Sequence, residues 1–483
     1  MNKGFSGTLL GLSCLLISSC ALNESSYHND LAVPHSYGQV ASSKVTPSAQ
    51  ILPLDFYRSY GDLKLNALIE RALAYNHDIN SAYLNLKQAQ VDYALANSAL
   101  HPTGTASLSS KVSKDLSTSS DSVRSSGASL GISYELDLFG RLDAASKVGL
   151  EQFTASAYDY QAMRLAVIKS TSEYYWNYAY AQEALDLAQE QLDASYKRLK
   201  LIKEKQLQGA SDGLEYDQAL VNHKNVEQAL YQKSYELTSA QNALSTILGY
   251  FSEHDLSSEV ADQALESTIC PQVPVSLPAN LLKQRPDLMA YEARVRAAFA
   301  KVDEAQASFY PSFNLNASLS SGSVSTLARF LSDPIGALGA AITFPFINYN
   351  QLSLQEESSL IARDRAKLDF ANGFRQAVQE VSDSLNNLHY QEQLIESTHH
   401  EYQLTVKNYE RYAERYRYGS ASLSELLDAS DSLRSAQNKL LQAKLKLLSA
   451  SMTLMVAMGG SYHNNPEQVL DQAQATSALI DKS

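Results

Sequence analysis

Four stretches of the chain alternate between apolar and polar residues. In 128–138, Ala128, Leu130, Ile132, Tyr134, Leu136 and Leu138 alternate with Ser, Gly, Ser, Glu and Asp. In 312–320, Phe313, Leu315, Ala317 and Leu319 alternate with Ser and Asn, and in 338–346, Leu338, Ala340, Ile342, Phe344 and Phe346 alternate with Gly, Ala, Thr and Pro. Residues 103–112 carry a weaker version. About ten residues of alternation predict transmembrane barrel strands, apolar side to lipid and polar side to water; a half-buried soluble sheet gives the same pattern. Elsewhere the period is seven. Tyr178, Leu185, Leu192 and Leu199 form one series, and Leu388, Ile395, Tyr402, Tyr409 and Tyr416 another. No Gly or Pro interrupts Gly149 to Gly209, Gly373 to Gly419, or Gly419 to Gly459. A helix from about 142 to 207 would be roughly 100 Å long, and the heptads predict coiled-coil packing.

The pattern is written twice. Shifted by about 210 positions, Asp78 falls on Asp287, Pro102 on Pro311, Gly209 on Gly419, Glu215 on Glu425, and Leu230, Leu237 and Leu244 on Leu440, Leu447 and Leu454. This predicts an internal tandem repeat in a mainly α chain with a β-barrel part. Each repeat runs helix, two strands, a very long helix, a short turn and a helix back. The expected organisation is a signal peptide (1–19), a lipidated N-terminal segment (20–60), repeat 1 (61–250), a linker with Pro271, Pro274 and Pro278 (251–278), repeat 2 (279–460) and a polar tail (461–483). Four strands cannot enclose a pore, and open sheet edges in lipid cost several kcal/mol per unpaired group, so other copies of the chain must complete the barrel. In "SYELDLFGRL" the first long helix follows the strand without a loop; Gly140 supplies flexibility there and Arg141 can face the polar interface. Pro345 is expected at a strand end, where its missing donor is unused.

The N-terminus indicates the compartment. Lys3 precedes an apolar run over 7–17, too short to anchor permanently, and then comes "ISSC". This resembles a bacterial lipobox and implies cleavage before Cys20, with N-acyl and S-diacylglycerol groups on that residue. The alternative is a secretory signal that happens to contain Cys. Ala21 is not the Asp that, by the same resemblance, holds lipoproteins at the inner membrane. With Cys14 removed and Cys20 lipidated, Cys270 has no intrachain disulfide partner. No later segment reads as the roughly 20 apolar residues of a spanning helix. The net charge of -13, with no Lys/Arg cluster, excludes nucleic-acid binding.

The segments "ISSC", "YELDLFGRL", "RPDL" (285–288), "YEARVRAA", "FYPSFNL" (309–315) and "YRYGSASLSELLDASDSLRSAQ" (416–437) together resemble the TolC-type outer-membrane efflux factors, in their lipoprotein (NodT-type) branch. The match covers about residues 60 to 460. The resemblance implies a homotrimer: a twelve-stranded outer-membrane barrel on a long helical periplasmic tunnel. Its tip stays closed until a periplasmic adaptor and an inner-membrane pump engage it. Phe56 and Tyr57 stand where relatives usually carry Trp. The implied function is an exit duct for drugs or other toxic small molecules. A duct for type I protein secretion and a lipid-anchored coiled-coil envelope protein or adhesin are the alternatives.

The same resemblance implies roles near the turns. Glu425 and Asp428 would form acidic rings at the entrance, with Asp431 continuing the row; Glu215 and Gln218 are the matching positions in repeat 1. Crowded carboxylates would raise one another's pKa. Arg415 and Tyr416 would help latch neighbouring coils. Gly209, Ala210, Gly419 and Ser420 would be the tips offered to the adaptor. Ser422-x-x-Glu425 also reads as a capping box, an equally good account of Glu425. No enzymatic motif is found, and His399 and His400 are adjacent, so they cannot form a metal pair on one helix face. Met452, Met455 and Met458 have the spacing of core packing.

Overall fold

The computed structural model describes residues 55–114, 121–209, 212–251, 268–275, 285–321, 334–459 and 465–477, with the strand at 45–47 and a few isolated positions. In chain order they form β1 (Val45–Pro47), a 3-10 turn (Phe56–Tyr60), α1 (Leu63–Tyr75), α2 (His77–Ser98), β2 (Thr103–Ser113), β3 (Val123–Leu136), α3 (Arg141–Leu207) and α4 (Gly213–Ile247). Then follow β4 (Val273–Val275), α5 (Pro286–Ala307), β5 (Ser312–Ser321), β6 (Pro334–Thr343), a 3-10 turn (Pro345–Asn348), α6 (Tyr349–Arg417), α7 (Leu423–Ala457) and α8 (Pro466–Thr476). The two long helices have 67 and 69 residues, and the two return helices 35 each. The fourth strand ends earlier than the alternation predicts, at Thr343 rather than 346. Pro345 starts the 3-10 turn instead, because its fixed φ and missing N–H suit a first helical position.

The chain divides into two compact units, each drawn from both halves. One includes Asn85–Ser156 and Ala290–Asn372. It holds the antiparallel sheet, in the order β2-β3-β5-β6. The register pairs Thr103 with Ser133, Ser133 with Asn316, and Asn316 with Gly339. Alternation then places Ile132, Tyr134, Phe313, Leu315, Leu338 and Ile342 on one face, with Leu338 90% exposed.

The other unit includes Ala32–Leu84, Ala157–Met289 and Gly373–Ser483. Tyr178 and Leu388, the first members of the two expected series, are buried, and a second seven-residue series is buried beside them. Ala181, Ala188, Ser195 and Ile202 are buried on α3, as are Ala377, Ser384, Gln391 and Thr398 on α6. Leu185, Leu192 and Leu199 are only half-buried beside them. Most of these buried positions carry small side chains, Ile202 and Gln391 being the larger ones. Met452, Met455 and Met458 are buried as core. Contrary to the sequence reading, α7 is long and apolar enough to cross a membrane by composition; half of its most apolar window is buried inside the chain, so its apolar character serves packing.

The segment before α1 is tied into this unit. Phe56, Tyr57 and Tyr60 are buried. Ser451 Oγ donates to the Leu448 carbonyl, so the Tyr60 hydroxyl donates to Ser451 Oγ across 2.7 Å. Tyr60 also packs on Trp176, with ring centroids 5.1 Å apart. Asp62 caps α1 by accepting from the N–H groups of Lys64 and Leu65, and its other oxygen accepts the Tyr175 hydroxyl at 2.8 Å. Arg285 of the "RPDL" stretch joins three elements: Asp287 on α5, Glu380 on α6 and the Ala457 carbonyl at the end of α7.

Replacing Asp62 with Ala removes a cap and leaves the buried Tyr175 hydroxyl unsatisfied, an expected loss of about 2–4 kcal/mol. In unfolding of the detergent-purified protein, Asp62→Ala and Tyr175→Phe should be non-additive; additive losses would show that the two groups do not share an interaction.

Candidate functional site

The predicted site residues fall in two places. The first is the junction of β3 with α3. Gly140 adopts φ 73°, which lets the chain turn from strand into helix. Asp137 caps the new helix: its two carboxylate oxygens accept from the N–H groups of Leu142 and Asp143, at 3.1 and 2.7 Å. Arg141 is ion-paired to Glu135 at 2.8 Å, both half-buried. Its expected place facing a polar interface is therefore refined: the guanidinium neutralises a carboxylate on the strand. Phe139 stacks on Tyr310 at 4.7 Å and lies 6.4 Å from Phe313. Phe309 meets Tyr349 edge-on at 5.7 Å, and Phe344 lies 6.2 Å from Phe346. Leu138, Phe344, Phe346, Ile347 and Tyr349 are exposed. This aromatic collar and the Asp137 cap were missed from the sequence. The runs "LFGR", "FYPSF" and "FPFINY" at strand ends were the available signal.

The second place is the pair of turns between the long and return helices. Gly209 and Gly419 each sit at φ 71° directly after a long helix. At the second turn the Ser420 N–H donates to the Arg415 carbonyl at 2.8 Å and the Gly419 N–H to the Tyr416 carbonyl at 3.1 Å, closing the helix with a left-handed cap. Arg415 donates to the Ser420 carbonyl at 3.1 Å, and Ser420 Oγ donates to the Arg415 carbonyl. Within one chain, Arg415 secures its own turn, and its charge also bears on Glu425 of α7. Tyr416 contacts neighbouring helices of its own chain. It packs on a core of Ile202, Ala219, Leu423 and Leu427, and Lys205 sits 4.8 Å over its ring. Among the described residues its buried hydroxyl has no hydrogen-bond partner.

The acidic row separates into three roles. Glu425 completes a capping box with Ser422: its carboxylate accepts from the Ser422 N–H at 2.7 Å, and Ser422 Oγ accepts from the Glu425 N–H at 3.3 Å. Its carboxyl is held below the ordinary range, first by the Ser422 N–H and then by the Ser422 hydroxyl, with the Arg415 charge acting in the same direction. Within one chain this is opposite to the upward shift expected of a crowded ring, because the cap favours the ionised form. Asp431 pairs with Arg434 at 3.3 Å and lines a cavity of about 190 Å³ with Glu190, Ser195, Arg198, Tyr409 and Gln437. Asp428 is exposed, and among the described residues its carboxylate has no ion pair or hydrogen bond. In repeat 1, Asp212 accepts from the Glu215 N–H at 2.9 Å, and Gln218 is half-buried. Cys20 and Ala210 lie outside the described residues.

The family described as Outer membrane efflux protein matches residues 68–250 and 277–460. The pyoverdine export outer membrane protein OpmQ of Pseudomonas aeruginosa is 27% identical over 94% of this chain and 96% of its own length. The toluene efflux pump outer membrane protein TtgF of Pseudomonas putida is 29% identical over 85% and 86%, and the cation efflux system protein CusC of Escherichia coli K12 24% over 92% and 97%. Among solved structures, the Campylobacter jejuni CmeC outer membrane channel superposes with a TM-score of 0.81 at 21% identity, covering 95% of this chain and 99% of that one. The open state of the Neisseria gonorrhoeae MtrE outer membrane channel superposes with a TM-score of 0.79 at 24% identity, covering 91% and 98%.

The lowered pKa of Glu425 gives a pH test. The cap's contribution is fully present above the ordinary glutamate pKa of about 4.3 and is lost as pH falls through the lower folded value. Amide exchange at 424–427, corrected for intrinsic rate, should therefore be unchanged from pH 7 to 5 and rise only in stronger acid. Ser422→Ala should accelerate it about fivefold, for a cap worth about 1 kcal/mol. Acceleration already between pH 7 and 5 would mean that the carboxylate titrates upward and is not held by the cap.

Proposed function

The chain belongs to the outer membrane efflux protein family, and from that premise we propose that it is the exit duct of a tripartite efflux system, passing small toxic molecules from periplasm to exterior. Membership makes it an outer-membrane channel protein rather than an enzyme. The observation that carries the duct reading is the four-stranded sheet, with opposite chemistry on its two faces and with β2 and β6 open at its edges. In lipid, unpaired edges are too costly to persist, so three copies join β6 of one to β2 of the next in a twelve-stranded barrel. The aromatic collar at the strand ends suits a membrane–water interface. The long helices continue from the strands as a periplasmic tunnel. Cys20 carries the acyl anchor, and the turns at Gly209–Ala210 and Gly419–Ser420 meet a periplasmic adaptor that links the duct to an inner-membrane pump. Asp428 supplies the acidic ring at the entrance, with the capped but still ionised Glu425 beside it, while Asp431 is paired with Arg434 in its own chain. The drug, toxicant, siderophore or metal class of the cargo is set by the pump. The names of the relatives, which span pyoverdine, toluene and cations, fit a duct of broad tolerance.

Native mass spectrometry of the detergent extract should give a trimer, and the trimer should conduct in planar bilayers. Asp428→Asn should reduce cation preference, read as reversal potential in a salt gradient, without changing the trimer mass. A monomer that conducts would overturn the shared barrel, and an unchanged preference would overturn the Asp428 ring. Cys20→Ala should abolish palmitate labelling; persistent labelling would exclude lipidation there.

A further inference from the structure

The register of the sheet fixes which residues share its polar face. One row is Thr103, Ser133, Asn316 and Gly339; the next is Thr105, Gly131, Ser318 and Ala337; a third is Ser107, Ser129, Ser320 and Ile335. Glu135 and Asn314 lie toward the helical junction, and Ser109, Gly127 and Lys111 toward the other end. Two features distinguish this surface. It is almost without net charge: its ionisable groups among the described side chains are Glu135, neutralised by Arg141 at 2.8 Å, and Lys111 near the far end of β2. Its hydroxyls are also partly spent on the sheet. Ser107 and Ser129 bond to each other at 2.8 Å, Thr103 donates to the Ser133 carbonyl, and Ser109 to the Gly127 carbonyl.

Selection by charge needs fixed charges aimed at the path, as rings of carboxylates or cations provide. Release needs binding weak enough to let the solute leave. A wall of small, neutral, partly self-bonded groups supplies neither selection nor retention. We propose that the polar face of β2, β3, β5 and β6 is a charge-neutral lining of the duct, which passes polar solutes of either sign and leaves charge selection to the entrance carboxylates. This rests on the proposed barrel, with the polar face inward. The strand section then contributes width and wetting, and the span of permitted cargo is limited elsewhere.

The experiment uses the full-length trimer in planar bilayers under a KCl gradient. With Asp428→Asn and Glu425→Gln combined, the K⁺/Cl⁻ permeability ratio should fall, and that doubly neutralised trimer is the reference for changes on the strands. Adding Ser318→Asp should restore a cation preference, and adding Ser318→Lys should give an anion preference, each by about threefold or more. In a Cys270→Ser background, Asn316→Cys should be blocked by a charged, water-soluble thiol reagent and Leu319→Cys should not. Indifference of the permeability ratio to charge at Ser318 overturns the neutral lining while leaving a duct. Blockage through Leu319→Cys but not Asn316→Cys overturns the assignment of faces. A folded trimer that does not conduct overturns the duct reading itself, and this inference with it.

Discussion

Two strand edges set the terms for the rest of the molecule. In the order β2-β3-β5-β6, the outer side of β2 and the outer side of β6 have no strand beside them among the described residues. In water such edges are a hazard for aggregation; in lipid they are forbidden, because each unpaired N–H or C=O costs several kcal/mol. A soluble sheet of this kind would blunt its edges with charge or proline. Here β2 carries Ser, Thr and a single Lys, and β6 is built from Gly, Ala, Ile, Leu and Thr after its first residue. Both are suited to pairing rather than to repelling it. The proposed closure by identical copies follows from that need. Because β2 differs from β6, the contact is head-to-tail and must close in a ring.

In the proposed barrel, the same constraint accounts for the junction. A barrel wall that ends at the lipid boundary must release its strands into another structure without exposing backbone groups in the apolar layer. At β3 the first N–H groups of α3 are satisfied at once by Asp137, Gly140 takes the left-handed conformation that joins the two geometries, and Arg141 offsets Glu135. The second half solves the problem differently, with Pro345 opening a 3-10 turn that runs directly into α6. Phe139, Tyr310, Phe309 and Tyr349 pack beside these transitions, so the polar repairs lie next to aromatic bodies with amphipathic character.

Much of this was legible because period is a property of residue order. Alternation in 128–138 and 312–320 identified strands, and the absence of Gly and Pro between Gly149 and Gly209 identified a helix that begins within one residue of its expected start. What was missed has physical reasons. On α3, Ala181, Ala188, Ser195 and Ile202 are buried beside Tyr178, while Leu185, Leu192 and Leu199 are half-buried; alanine and serine carry little hydrophobic signal, so periodicity does not pick them out. The strand ending at Thr343 was extended into Phe344 and Phe346 because aromatic residues at an interface mimic the alternation of a strand. Asp137 was read as the polar partner of a strand pattern; its capping role depends on the fold-back at Gly140, which periodicity does not encode.

The acidic row after Gly419 shows why spacing alone cannot assign function. Glu425, Asp428 and Asp431 recur every three residues, which places them near one helix face, and as a set they invite a single role. The chain separates them by what lies within reach. Glu425 is close enough to the helix start to be consumed by Ser422, Asp431 is one turn from Arg434, and Asp428, between them, is reached by neither. Pairing with Arg434 offsets the charge of Asp431, whereas the cap keeps Glu425 ionised but fixes it at the helix start. In the proposed trimer, Asp428 is therefore the carboxylate free to turn toward the symmetry axis, and its use there would leave the cap and the coil intact.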